Sequence, residues 1–184
     1  MTKTARYVLA PLLVSLLAVV VPPPAGAEDL PVSAFFGRFM GSGIAENQDS
    51  LYFGVTVRDL DVRIGPDGNG FYVEWTSVIR SGGDPNNPDV RQKTTRVSFA
   101  PSERPGIFEA RDGADPIAGG ELAWASVSNN TLIVNTLFIR EDGGYELQSY
   151  ERTLDVGGMD LNFVRVRDGE PVRKVEARLV KVAN

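Results

Sequence analysis

From residue 50 onward, apolar side chains recur at every second position, the period of a strand with one buried face. Phe53, Val55 and Val57 share one phase, and Leu60, Val62 and Ile64 take the other. A slip of one residue is what a β-bulge near Arg58-Asp59 would produce. The run Gly65-Pro66-Asp67-Gly68-Asn69-Gly70 is dense in turn formers. Beyond it, Phe71, Val73, Trp75, Ser77 and Ile79 alternate with Tyr72, Glu74, Thr76, Val78 and Arg80, which predicts a hairpin. Residues 81–90 hold Gly, Pro, Asn and Asp and read as an exposed loop. Thr95, Val97 and Phe99 resume a strand, Ile107–Arg111 predicts a short one, and 112–120 another loop.

The last third is the most regular. Leu122–Ser128 and Leu132–Arg140 flank Asn129-Asn130, and Glu141-Asp142-Gly143-Gly144 leads into Tyr145–Thr153. Gly157-Gly158 leads into Met159–Arg167, and Asp168-Gly169-Glu170-Pro171 into Arg173–Val182. Short turns of this chemistry join antiparallel neighbours. No stretch beyond residue 27 has the pattern of a long amphipathic helix. The expectation is an all-β fold: an antiparallel up-and-down barrel of about 8–10 strands, which closes on itself and so leaves no free edge. A sandwich is the rival, but it needs long crossover connections that this meander leaves little room for.

Ahead of the alternating region stands Phe35-Phe36-Gly37-Arg38-Phe39-Met40-Gly41-Ser42-Gly43. The glycine spacing matches neither a dinucleotide fingerprint nor a phosphate loop. In a strand, glycines mark a bend or a close backbone approach. Gly37-x-Phe39 followed by Gly41-x-Gly43 resembles the opening strand of calycin-type barrels, the lipocalins, fatty-acid-binding proteins and nitrobindin-like proteins, with Phe39 standing where tryptophan is usual. The resemblance implies a barrel with an interior and structural roles for Gly37, Phe39, Gly41 and Gly43. The nitrobindin haem does not carry over, because it is held by a histidine and this chain has none.

Lys3 and Arg6, the apolar run Tyr7–Val21, Pro22–Pro24 and Ala25-Gly26-Ala27 form the pattern of a cleavable signal peptide. The run is shorter than the roughly 20 residues that span a bilayer. The expectation is a signal peptide at 1–27 and one barrel domain at 28–184, exported to the periplasm or beyond and without an integral membrane anchor after cleavage. The net charge is −5 and becomes more negative once Lys3 and Arg6 are removed. An acidic domain repels phosphate backbones, so nucleic acid is not an expected partner. The chain has no Cys and no His. That excludes disulfides, a Ser-His-Asp triad, a cysteine nucleophile, His-ligated haem and ordinary zinc sites. No cofactor and no metal is expected.

Candidate chemistry lies on the late strands. Arg165 and Arg167 share a face with Met159, Leu161 and Phe163, where they could meet a ligand carboxylate bidentately. Fatty-acid-binding proteins have a similar arginine and tyrosine pairing near their end. Val164 and Val166 make the opposite face apolar too, and then both arginines would be rim charges. Tyr145 and Ser149, on one face with Leu147, could line a cavity for an amphipathic ligand. Trp75 and Trp124 fit either the core or a cavity wall. Asp59 with Asp61, and Glu146 with Glu151, are paired carboxylates that could exchange protons if buried. The functional expectation is a barrel holding a small hydrophobic or amphipathic molecule. An isomerase or cyclase of the allene-oxide-cyclase or dirigent type and a filled barrel that docks an envelope assembly are the alternatives.

Overall fold

In a computed structural model the protein is described for residues 28–47, 56–80 and 89–182. The expected signal peptide, Phe53, Val55 and most of the 81–90 loop lie outside the described residues. A single 3₁₀ turn, Val32–Phe35, precedes the strands. The first four strands are β1 (Gly37–Asn47), β2 (Thr56–Asp67), β3 (Gly70–Arg80) and β4 (Val90–Pro101). Next come β5 (Ile107–Ala110), β6 (Glu121–Ser128) and β7 (Thr131–Ile139). The last three are β8 (Tyr145–Asp155), β9 (Gly158–Arg167) and β10 (Glu170–Val182).

Every strand pairs antiparallel with its sequence neighbours, and β1 pairs with both β2 and β10, so the sheet closes into a ten-stranded barrel with no free edge. Cross-strand register then fixes which side chains point inward. Phe39 faces Val62, Val62 faces Trp75, and Trp75 faces Thr95. Since side chains alternate, one such ring assigns a whole phase on each strand.

Three local expectations are corrected. The pairing of Thr56 through Ile64 with β1 runs without a shift, so there is no bulge at Arg58-Asp59. The alternation there is unbroken, but its polarity changes. Arg58 continues the inward phase of Leu60 and Val62, while Val57 is half exposed on the outside. The described irregularity lies between Pro171 and Arg173. The Gly65–Gly70 turn is shorter than it reads, since β2 runs on to Asp67 and only Gly68, at φ 58, and Asn69 lie between the strands. Finally, β4 starts at Val90 rather than near Thr95, with Arg91 and Lys93 on its inward phase.

One end of the barrel is sealed by apolar packing. Phe35, Phe39, Phe71, Phe99, Leu132, Met159 and Leu179 are wholly buried there. Phe71 stacks on Phe99 at 5.2 Å and meets Phe108 edge-on at 5.1 Å. Each such ring contributes about 1.5–3 kcal/mol by leaving water. The N-terminal segment is tied across this end. The Leu30 amide donates to the Asn129 carbonyl at 2.8 Å, and the Asn129 amide donates to Asp29 Oδ1 at 2.6 Å. On β1, Gly37 sits at φ +145, and a Cβ on Gly41 would come within 2.1 Å of the Arg178 carbonyl oxygen. Glycine lets β1 press closely against β10 beside Phe39. Among the described residues, no helix is long and apolar enough to cross a membrane.

Candidate ligand-binding site

At the opposite end the inward phase changes character. β8 presents Glu146, Gln148, Tyr150 and Arg152 to the interior, and β9 presents Leu161, Phe163, Arg165 and Arg167, with Gln148 facing Arg165 and Glu146 facing Arg167. Arg58 and Arg173 continue the inward phases of β2 and β10. A cavity of about 520 Å³ opens between them. Leu60, Val62, Trp75, Leu161, Phe163 and Val175 give it apolar walls, and Arg58, Arg91, Lys93, Arg152, Arg165 and Arg173 give it cations. Among the described residues that line it there is no carboxylate. A strongly cationic interior thus sits inside a chain of net charge −5.

A polar ladder runs down β8. Tyr150 donates its hydroxyl hydrogen to Gln148 Oε1 at 3.0 Å, and Gln148 Nε2 donates to Glu146 Oε1 at 2.9 Å. Glu146 is buried and also accepts from Arg167 Nη2 at 3.2 Å. Arg165 Nε lies 3.1 Å from the same carboxylate but makes no hydrogen bond, so that contact is an ion pair without the alignment of a donor. One carboxylate therefore serves two guanidinium groups. Burial, followed by repulsion from Arg173 and Arg165, pushes the Arg58 guanidinium below its ordinary value.

Arg152 is the most unusual group in the interior. It has no exposed surface, and Nε, Nη1 and Nη2 all lack hydrogen-bond partners. Its guanidinium carbon lies 5.4 Å from the Trp75 ring centroid and 5.3 Å from that of Tyr150. Those rings pack at 4.9 Å, and Tyr150 packs on Phe163 at 4.5 Å. Burial pushes Arg152 down to about 10 and raises the Tyr150 phenol. The ring faces attract the cation but offer no acceptor comparable to an oxygen.

Of the residues singled out from sequence, Trp75, Phe163 and Arg165 line the cavity. Arg167 faces inward at the mouth, bound to Glu146. Tyr145 and Ser149 lie on the outer face of β8, because the more polar phase, Glu146 to Arg152, is the one turned inside. Trp124 is also outside the cavity, since Ala123 and Ala125 take the inward phase of β6. Glu146 and Glu151 point to opposite faces, and Asp59 and Asp61 lie on the outer phase of β2, so neither pair shares an interior. Sequence reasoning passed over Arg58, Arg91, Lys93, Arg152 and Arg173. The available signal was phase: Arg58 continues Leu60 and Val62, Arg173 continues Val175, and Arg152 continues Tyr150.

No family model matches the sequence, and no curated protein matches it. Among solved structures, the chain is similar to a protein of unknown function from the DUF3598 family of Nostoc punctiforme, at 12% identity and a TM-score of 0.56. That similarity covers 89% of this chain and 54% of the neighbour, so the chain spans about half the neighbour's length. It is also similar to the S-type phycobiliprotein lyase CPES of Guillardia theta, at 8% identity and a TM-score of 0.38, covering 83% of this chain and 91% of that one. The second similarity is too slight to carry an argument, and the first speaks to fold alone. The ten-stranded antiparallel barrel fits a calycin-like fold.

Proposed function

We propose that this barrel is a lipocalin-like binding protein for a small amphipathic molecule with an acidic group. The observation that carries this reading is the cavity of about 520 Å³ with six cationic side chains and no lining carboxylate among the described residues. Its size suits a small organic ligand. Apolar walls take the body of the molecule, and the cations at the mouth take its charge. Arg58, Arg165 and Arg173 repel one another in a partly desolvated space, and an entering anion relieves that repulsion. Glu146 serves as the resident counter-ion that holds Arg165 and Arg167 in place while the cavity is empty.

The setting we propose is the periplasm or the extracellular medium, with residues 1–27 removed and residues 28–184 acting as one domain. The Lys3/Arg6 n-region, the apolar run after it and Ala25-Gly26-Ala27 support this.

Two fluorescent probes test the binding reading. Anilinonaphthalene sulfonate and phenylnaphthylamine share an aromatic skeleton, and only the first is an anion. The anion should bind at least about tenfold more tightly at low salt, and the preference should shrink as salt screens the cations at the mouth. Arg58→Gln with Lys93→Gln should remove most of it. Equal affinity for the two probes, with no dependence on salt, would refute the reading.

A further inference from the structure

We infer that the ligand carries two acidic groups, one at each end of an apolar body, and that Arg152 is the inner of two anion subsites. This rests on the proposed binding function and adds a second contact to it. The cations near the mouth have water or Glu146 to answer them: side-chain exposure is 23% for Arg165 and 36% for Arg167, and both lie against that carboxylate. Arg152 has neither. It is wholly enclosed, with all three guanidinium nitrogens unpartnered.

A guanidinium holds its proton at neutral pH and presents five N–H donors, so it cannot escape burial by becoming neutral. Leaving such a group without an acceptor is among the least favourable placements in a fold. Trp75 and Tyr150 hold it by their ring faces, and both rings line the cavity. An acid group entering between those rings meets a donor fork matched to a carboxylate. Since Arg152 has no exposed surface, that approach requires one of the rings to shift. The second subsite is formed by Arg58 on β2, whose Nε is likewise buried without a partner; β1, β10 and β9 separate β2 from β8 around the barrel. Leu60, Val62, Leu161 and Phe163 supply apolar wall to the same cavity. A monoacid can answer one of the two guanidinium groups, and a diacid of suitable length can answer both.

The test uses matched pairs, hexadecanoic with hexadecanedioic acid and dodecanoic with dodecanedioic acid. The chain has two tryptophans, so Trp124→Phe, outside the cavity, leaves Trp75 as the reporter. In that background one diacid should bind at least about tenfold more tightly than its monoacid, the gain of one charge-assisted contact. Arg152→Met and Arg152→Gln, each checked by thermal melting, should bring the diacid to the affinity of the monoacid in the same variant. If the monoacids bind as tightly as the diacids, or the advantage of the diacid survives in a folded Arg152 variant, the inference is overturned and the binding function stands. If no acid binds, both are overturned.

Discussion

The two ends of the barrel are built from the same strands and solve opposite problems. At the sealed end, Phe39 on β1, Phe71 on β3 and Met159 on β9 are wholly buried in an apolar core. At the open end the inward phases continue as Arg58, Arg165 and Arg173, and the core gives way to a cavity. On β9 the change takes place within one strand, from Met159 and Leu161 through Phe163 to Arg165 and Arg167. A filled end and a hollow end divide the labour: the first supplies stability, and the second holds charge that stability alone would not select.

The largest effect on folding comes from the sealed end. Phe71→Ala removes a wholly buried ring that packs on Phe99 and Phe108. It should cost about 3–5 kcal/mol, the usual range for a core phenylalanine. Urea denaturation followed by circular dichroism measures it. A loss below about 1 kcal/mol would mean that this end is not where stability is concentrated.

The sealed end was also the more legible one. Alternating Phe71, Val73 and Trp75, and the turn pairs between the late strands, predict hairpins because period and turn chemistry are local properties. The open end was not legible in the same way. There the inward residues are charged, and an apolar criterion finds the inner face only where an apolar run leads into them, as Met159, Leu161 and Phe163 lead to Arg165 on β9. On β8 the sequence reading took Tyr145 and Ser149, with Leu147, as a face that could line the cavity, whereas the register turns Glu146, Gln148, Tyr150 and Arg152 inward. It also read Val57 as inward and inferred a bulge that the pairing of Thr56 through Ile64 does not contain. What decides these faces is closure of the sheet, which aligns Arg58 with Gly43 across β1 and Ile79 across β3. That is a relation among distant segments, and no window of sequence holds it.

The comparison sharpens at Arg152, where a change in the cavity should stabilise the fold. Arg152→Met replaces a buried, unpartnered cation with an apolar chain of similar length. The depression of Arg152 from the ordinary guanidinium value to about 10 corresponds to about 3 kcal/mol. The methionine protein should therefore be more stable near neutral pH, by up to about that amount. The pH dependence has a definite sign. Above about pH 10 the folded protein releases the Arg152 proton while the unfolded chain still holds it, so the unfolded state binds more protons and wild-type stability rises with pH. The advantage of methionine should be full below about pH 10 and should shrink above it. Urea midpoints of the two proteins at matched pH values give the difference, in which other titrating groups cancel. A methionine protein less stable than wild type at pH 8 would show that the ring faces of Trp75 and Tyr150 compensate the cation fully.

The smallest effects belong to the outer wall, and they test which face of β8 does the binding. Ser149 and Tyr150 are adjacent in sequence and point to opposite sides. Ser149→Ala and Tyr145→Phe should change stability by no more than about 0.5 kcal/mol, as surface substitutions do, and should leave affinity for the anionic probe unchanged. Tyr150→Phe keeps the ring against Trp75 and Phe163 but removes the hydroxyl that donates to Gln148. Gln148 would lose the donor to its Oε1 while still donating to Glu146, loosening the ladder that holds the counter-ion of Arg165 and Arg167. One neutral hydrogen bond is worth about 1 kcal/mol of stability, so the melting temperature should fall by a few degrees, and affinity for the probe should fall by up to about fivefold. A fivefold response at Ser149 and none at Tyr150 would reverse the two faces of β8 and move the site to the outside of the barrel.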